Sequence, residues 1–100
     1  MSYAQKEMQV LHWGEKLGIV QHGKPMGQAF KTLEEASELL EAIYKGDREA
    51  TIDAVGDVVV TLIMVCATLD LDLTECLGVA YEQIKDRKGY LRPDGVFEKQ

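Results

Sequence analysis

The chain has 100 residues, 46% of them apolar, and a formal charge of −6. That length makes one domain, and the acidic balance argues against DNA or an anionic membrane as the main partner. It leaves room for a nucleotide, whose phosphates a metal ion and a few local lysines can meet.

The segment from Ser2 to about Lys16 reads as a first helix, with Tyr3, Met8, Val10, Leu11 and Leu17 as apolar positions and Gly18 as a stop. It lacks the apolar core of a signal peptide. Trp13, the only tryptophan, is either a core residue or a flat ring on which a base stacks. Ile19–Gly27, with Gly23, Pro25 and Gly27, reads as a loop where a base-selecting lid could sit. A second helix is expected from about Gln28 to Lys45. Its Leu33, Ala36, Leu40 and Ile43 are spaced as a packing seam, and Gly46 ends it. Asp47 can cap a third helix running to about Leu69. Asp72 and Glu75 have capping-box spacing, which predicts a fourth helix over about Leu73–Lys88, closed by Gly89. The tail carries a Pro93-Asp94-Gly95 turn followed by a short extended segment at Val96 and Phe97. The expected fold is all-α and four-helix-bundle-like, a single domain over residues 1–100 with a short C-terminal tail.

The third helix is the informative one. Ile52–Leu69 is apolar on nearly every side, and its only charges are Asp53 and Asp57, one turn apart on the same face. A helix apolar all round is buried all round. A chain this short cannot wrap it alone, so a homo-oligomer is expected. At eighteen residues the stretch sits at the short limit for a membrane span, and the two acids favour a soluble buried helix. Two buried carboxylates need a positive partner, and a metal ion is the leading candidate. Asp53, near the helix start, also has a plain reading as an acid favoured by the helix dipole.

Glu35 and Glu38 on the second helix are three apart, hence neighbours, and fall opposite the Leu33/Ala36/Leu40/Ile43 seam. They read either as a solvated face or as the other half of an oxygen cage with Asp53 and Asp57. Four carboxylates from two helices suit Mg²⁺ or Mn²⁺ rather than zinc. Cys66 and Cys76 form no CxxC and lack zinc-finger spacing with His12 and His22, so a reducing, cytoplasmic setting is expected.

Lys31-Thr-Leu-Glu34-Glu35-Ala-Ser-Glu38-Leu, followed by Asp53-Ala-Val-Gly-Asp57-Val, resembles the MazG-like all-α nucleoside triphosphate pyrophosphohydrolases, compact phage-type members in particular. That superfamily also includes dimeric dUTPases, dCTP pyrophosphatases and phosphoribosyl-ATP pyrophosphohydrolase. Its ExxE is Glu35 to Glu38 here, and its terminal aspartate is Asp57. Gln28 and Lys31 resemble the Q-x-x-K that leads into the acidic helix. Ile84-Lys85-Asp86-Arg87-Lys88-Gly89 and Gly95-Val96-Phe97 resemble the C-terminal segment. The family's usual acid three before the aspartate is replaced by Ala54, with Asp53 as the substitute.

The resemblance implies Mg²⁺-dependent hydrolysis, Mn²⁺ being an alternative, of a (d)NTP to monophosphate and pyrophosphate. Glu35, Glu38 and Asp57 are then the catalytic metal ligands and Asp53 assists, with Glu34 in reserve. Trp13, Gln28, Lys31, Lys85, Arg87 and Lys88 would bind substrate. The plain readings of the lysines are a helix salt bridge for Lys31 and favourable helix-end cations for Lys85, Arg87 and Lys88. The alternatives are a dUTPase- or dCTPase-type enzyme specific for one base, and a non-catalytic oligomerisation or regulatory module.

Overall fold

A computed structural model describes all residues, 1–100. It contains five helices and a terminal hairpin: α1 (Tyr3–Lys16), α2 (Ile19–His22), α3 (Pro25–Tyr44), α4 (Arg48–Thr68), α5 (Leu73–Ile84), β1 (Gly89–Leu91) and β2 (Phe97–Lys99). Every other helix packs on α4, and α3 does so most extensively. α4 is long and apolar enough to cross a membrane by length and composition. Here it is the centre of the helical assembly and carries most of the buried side chains, Met64 deepest at 1% exposure.

Local chemistry explains the boundaries. Ser2 caps α1 through a reciprocal pair with Gln5: the Gln5 N–H donates to Ser2 Oγ at 3.2 Å and the Ser2 N–H to Gln5 Oε1 at 2.8 Å. Gly18, at φ +80°, takes the left-handed conformation that turns α1 into α2. The expected Ile19–Gly27 loop is therefore partly helical. α3 also starts at Pro25, three residues before the expected start, because proline's fixed φ and missing N–H suit the first helical position. Asp47 caps α4 by accepting from the Ala50 N–H at 3.0 Å. Asp72 caps α5 through Thr74 at 2.9 Å, without the reciprocal Glu75 bond that its spacing suggests. α5 stops at Ile84, short of the expected Lys88. The tail is an antiparallel hairpin in which Leu91 pairs with Phe97, more ordered than the single extended segment expected.

Of the expected seam of α3 only Ala36 faces α4. Leu33 and Leu40 are 66% and 72% exposed, and Ile43 is exposed as well. The face turned to α4 is Thr32, Glu35, Ala36, Leu39 and Ala42, half-buried or buried. Small side chains let the two helices approach closely, and buried Ala42 and Ala54 serve that purpose. Periodicity identified an apolar stripe on α3 but not what the stripe touches. α1 is also tight against α4: a Cβ on Gly14 would stand 2.6 Å from Met64 Sδ.

Only seven of the 100 residues are buried. The radius of gyration is 15.7 Å, against about 13 Å for a compact chain of this length. The accessible surface is 7870 Å², where a compact monomer of this mass exposes about 5,700 Å².

Candidate functional site

The register of α3 against α4 builds the site. The helices run antiparallel, and the Thr32 hydroxyl donates to Thr61 Oγ1 at 2.8 Å across the contact. Thr61, buried, donates in turn to the Val58 carbonyl at 2.7 Å. One turn along α3 from Thr32 stands Glu35, and one turn back along α4 from Thr61 stands Asp57. The threonine clasp thus sets the two carboxylates opposite each other. Nothing in the sequence patterning singled it out; two threonines at mid-helix positions carry no periodic signal.

Glu35 is half-buried, and its Oε2 is buried without a hydrogen-bond partner. Burial first, then the nearby Glu38 carboxyl and the negative charge of Glu38 and Asp57, push its pKa above the usual glutamate value; Lys31 opposes the shift. Burial likewise raises Asp57, helped by the charges of Asp53 and Glu38. Glu35 and Asp57 therefore both feel the charges of neighbouring acids. Glu38 and Asp53 are exposed, at the rim. The side chains stand near one another, but no three of them close around a point that could hold an ion. Mutual repulsion favours such splaying, and a cation is what would reverse it.

The donor set fits a hard divalent ion. It consists of carboxylate oxygens only, it includes an orphaned buried oxygen, and neighbouring acids raise the pKa of Glu35 and of Asp57. Ala54, where the family usually has an acid, is buried at the helix contact, and Asp53 lies exposed beside it. Asp53 thus acts on Asp57 from the rim.

A cavity of about 340 Å³ opens at the pair, lined by Trp13, Gln28, Lys31, Glu35, Asp57 and Thr61 among others. Five residues singled out in the sequence are thereby brought together. Lys31 also pairs with Glu34 at 3.2 Å, one residue from the partner its spacing suggested. An exposed pair of this kind contributes about 0–1 kcal/mol, so the ammonium is readily released to a phosphate. Lys85, Arg87 and Lys88 do not reach this cavity. They lie at the end of α5 and in the turn beyond it, where the chain has left the α3–α4 contact, and Lys85 pairs with Glu82 at 2.7 Å. The largest cavity, about 480 Å³ between Met26, Phe30, Leu33, Leu62 and Val65, has no ionisable side chain in its wall and so no means of doing this chemistry.

Comparison with known proteins assigns the class. The sequence matches the phosphoribosyl-ATP pyrophosphohydrolase family over residues 18–86, more than half of the chain, and the protein belongs to that family. It is accordingly a hydrolase acting on pyrophosphate bonds, of the MazG-like superfamily. Among solved structures it is similar to a MazG-like pyrophosphohydrolase of cyanophage S-2L, bound in that structure to dGDP and three catalytic Mn²⁺ ions per active site. The two share 22% identity with a TM-score of 0.73, over 100% of this chain and 94% of the other, a likeness that shows the fold. No curated protein sequence matches this one.

Proposed function

We propose that the protein hydrolyses nucleoside triphosphates to monophosphate and pyrophosphate with Mg²⁺ or Mn²⁺. Glu35, Glu38 and Asp57 would hold the metal, and Asp53 would assist. The observation that carries this reading is the orphaned, buried Glu35 Oε2, set opposite Asp57 in a cavity that also holds Lys31, Gln28 and Trp13. An acid in that position without a counter-ion is costly, so its presence asks for a cationic partner. When bound, the metal neutralises charge that grows on the phosphate oxygens. The chain's own residues do the remainder. Lys31, its exposed pair with Glu34 released, contacts the phosphates. A carboxylate of the Glu35–Glu38 pair accepts a proton from the attacking water; a pKa raised towards neutrality improves such a base. Trp13 stacks on the base. The S-2L enzyme, similar in fold, carries a nucleotide and divalent ions, which supports a nucleotide substrate here.

The working unit is proposed to be a homo-oligomer. The accessible surface exceeds the compact expectation by about 2,000 Å², the amount an obligate interface removes from one partner. The exposed apolar stripe of Leu33, Leu40 and Ile43 on α3 and the apolar residues Leu77, Val79 and Ile84 on α5 are the surfaces to cover. In such an assembly Lys85, Arg87 and Lys88 would serve a neighbouring site.

The test is pyrophosphate release from a panel of (d)NTPs with Mg²⁺ and with Mn²⁺. Release that EDTA stops and added metal restores is expected. Silence across the panel with both metals overturns the assignment.

A further inference from the structure

A second cavity, about 370 Å³, adjoins the first and shares Trp13, Asp57 and Val60 with it. The two are halves of one cleft with Trp13 in the common wall. On the α3 side the cleft carries Gln28, Lys31 and Glu35. On the α1 side it carries Lys6, Gln9 and Val10. Lys6, Gln9, Val10 and Trp13 are spaced three, one and three apart, so they form one continuous face of α1. Lys6 takes part in none of the chain's ion pairs.

We infer that the α1 half of the cleft is the base subsite, and that Lys6 and Gln9 read the edge of a 6-oxopurine stacked on Trp13. The inference rests on the pyrophosphohydrolase reading, which sets the phosphates at Asp57 and Glu35. A base that extends past Trp13 then lies along Val10 and Val60, with Lys6 and Gln9 at its edge. An ammonium has three donors and no acceptor. It therefore meets the adjacent O6 and N7 acceptors of guanine or hypoxanthine, and opposes the exocyclic amino groups of adenine and cytosine. The Gln9 amide offers both a donor and an acceptor, so it can take the N1–H of the same base or a remaining acceptor. Thymine and uracil present a single carbonyl at that edge and a smaller face to the indole.

The experiment measures kcat/KM for dGTP, dITP, dATP, dCTP and dTTP with Mn²⁺, for the wild type and for Lys6→Met. In parallel, dGMP and dAMP are titrated against the fluorescence of Trp13, the only tryptophan. The wild type should prefer dGTP and dITP over dATP by at least about tenfold, the discrimination of one good base-edge contact. Lys6→Met should move that ratio towards one, and Lys6→Arg should keep it. A general loss of folding or of metal would lower all substrates together and leave the ratio in place. A wild type without oxopurine preference, or a Lys6→Met variant with the ratio intact, overturns the inference while the hydrolase reading stands. If no triphosphate is turned over, the hydrolase reading fails, and the titration still decides the base edge: tighter dGMP than dAMP, lost in Lys6→Met, supports it, and equal binding sinks it.

Discussion

The α3–α4 contact and the C-terminal arm, α5 with its hairpin, solve the same problem to different extents. α3 and α4 meet through the buried Ala42 and Ala54 and the Thr32–Thr61 hydrogen bond. The arm has no buried residue, and Leu77, Tyr81, Tyr90 and Phe97 are all at least half exposed. One chain is thus sufficient to set the acids in register and insufficient to cover its own apolar surface. The acids sit where two helices of one chain pack against each other; the arm awaits another surface.

The largest effect separating the two regions is on turnover. Glu38→Gln or Asp57→Asn should lower pyrophosphate release by more than the ten- to hundredfold that loss of an outer-shell partner produces, with the circular dichroism of the helices unchanged. Residual activity near the wild-type level in either variant removes that carboxylate from the site. In the second rank comes assembly. Leu40→Asp on the exposed stripe of α3 should convert the oligomer to monomer in sedimentation velocity, since a charge buried in an apolar interface costs several kcal/mol. An unchanged sedimentation coefficient would leave the stripe without a partner and the arm as the remaining contact.

How much of this was legible in the sequence follows the same division. Asp53 and Asp57 stood out because charges in an apolar helix are rare, and the spacing of Glu35 and Glu38 marked their partners. Gln28 and Lys31 followed from the resemblance and Trp13 from its being the only tryptophan, and the cavity holds all three. The direction of the α3 seam did not follow: Leu33 and Leu40 repeat as core residues do, and periodicity is the same whether the stripe meets the same chain or another. Lys85, Arg87 and Lys88 were assigned by motif, and the path of α5 away from the acids is a tertiary fact that no local pattern encodes. Lys6 and Gln9 were missed because a lysine and a glutamine on a surface helix carry no signal until Trp13 and Asp57 are seen beside them. The α2 turn was missed because glycine and proline punctuation there outweighed the short Ile19–His22 segment.

A smaller effect tests what holds the acids in register. Thr61→Val removes the acceptor for Thr32 and leaves that hydroxyl the Gln28 carbonyl, 3.2 Å away on its own helix. The expected loss is about 1 kcal/mol in unfolding. Activity should fall further than that loss accounts for at a temperature where the variant is fully folded, because Glu35 and Asp57 lie one turn from the clasp. Equal activity with lowered stability would make the clasp a packing feature alone.

The smallest effect is a pH dependence in the metal-free protein. The Glu35 and Asp57 carboxyls are raised above their ordinary values by burial first, and then by neighbouring charges, those of Glu38 and Asp57 on Glu35 and those of Asp53 and Glu38 on Asp57. A raised carboxyl in the folded state binds protons there more readily than in the unfolded chain. Its favourable contribution is therefore complete below the unfolded values and is lost as pH rises through the higher folded ones. Above those folded values the charged groups oppose folding. Asp57→Asn removes one of those charges, so without metal the variant should melt above the wild type at pH 7, and the gap should close as pH falls towards 4. Added Mn²⁺ should raise the wild-type Tm and leave the variant nearly unmoved, which reverses the order at pH 7. The surface ion pairs Lys45–Glu41 and Arg92–Glu98 have no such link to the metal, so a Mn²⁺ shift of equal size in both proteins would place the ion away from Asp57.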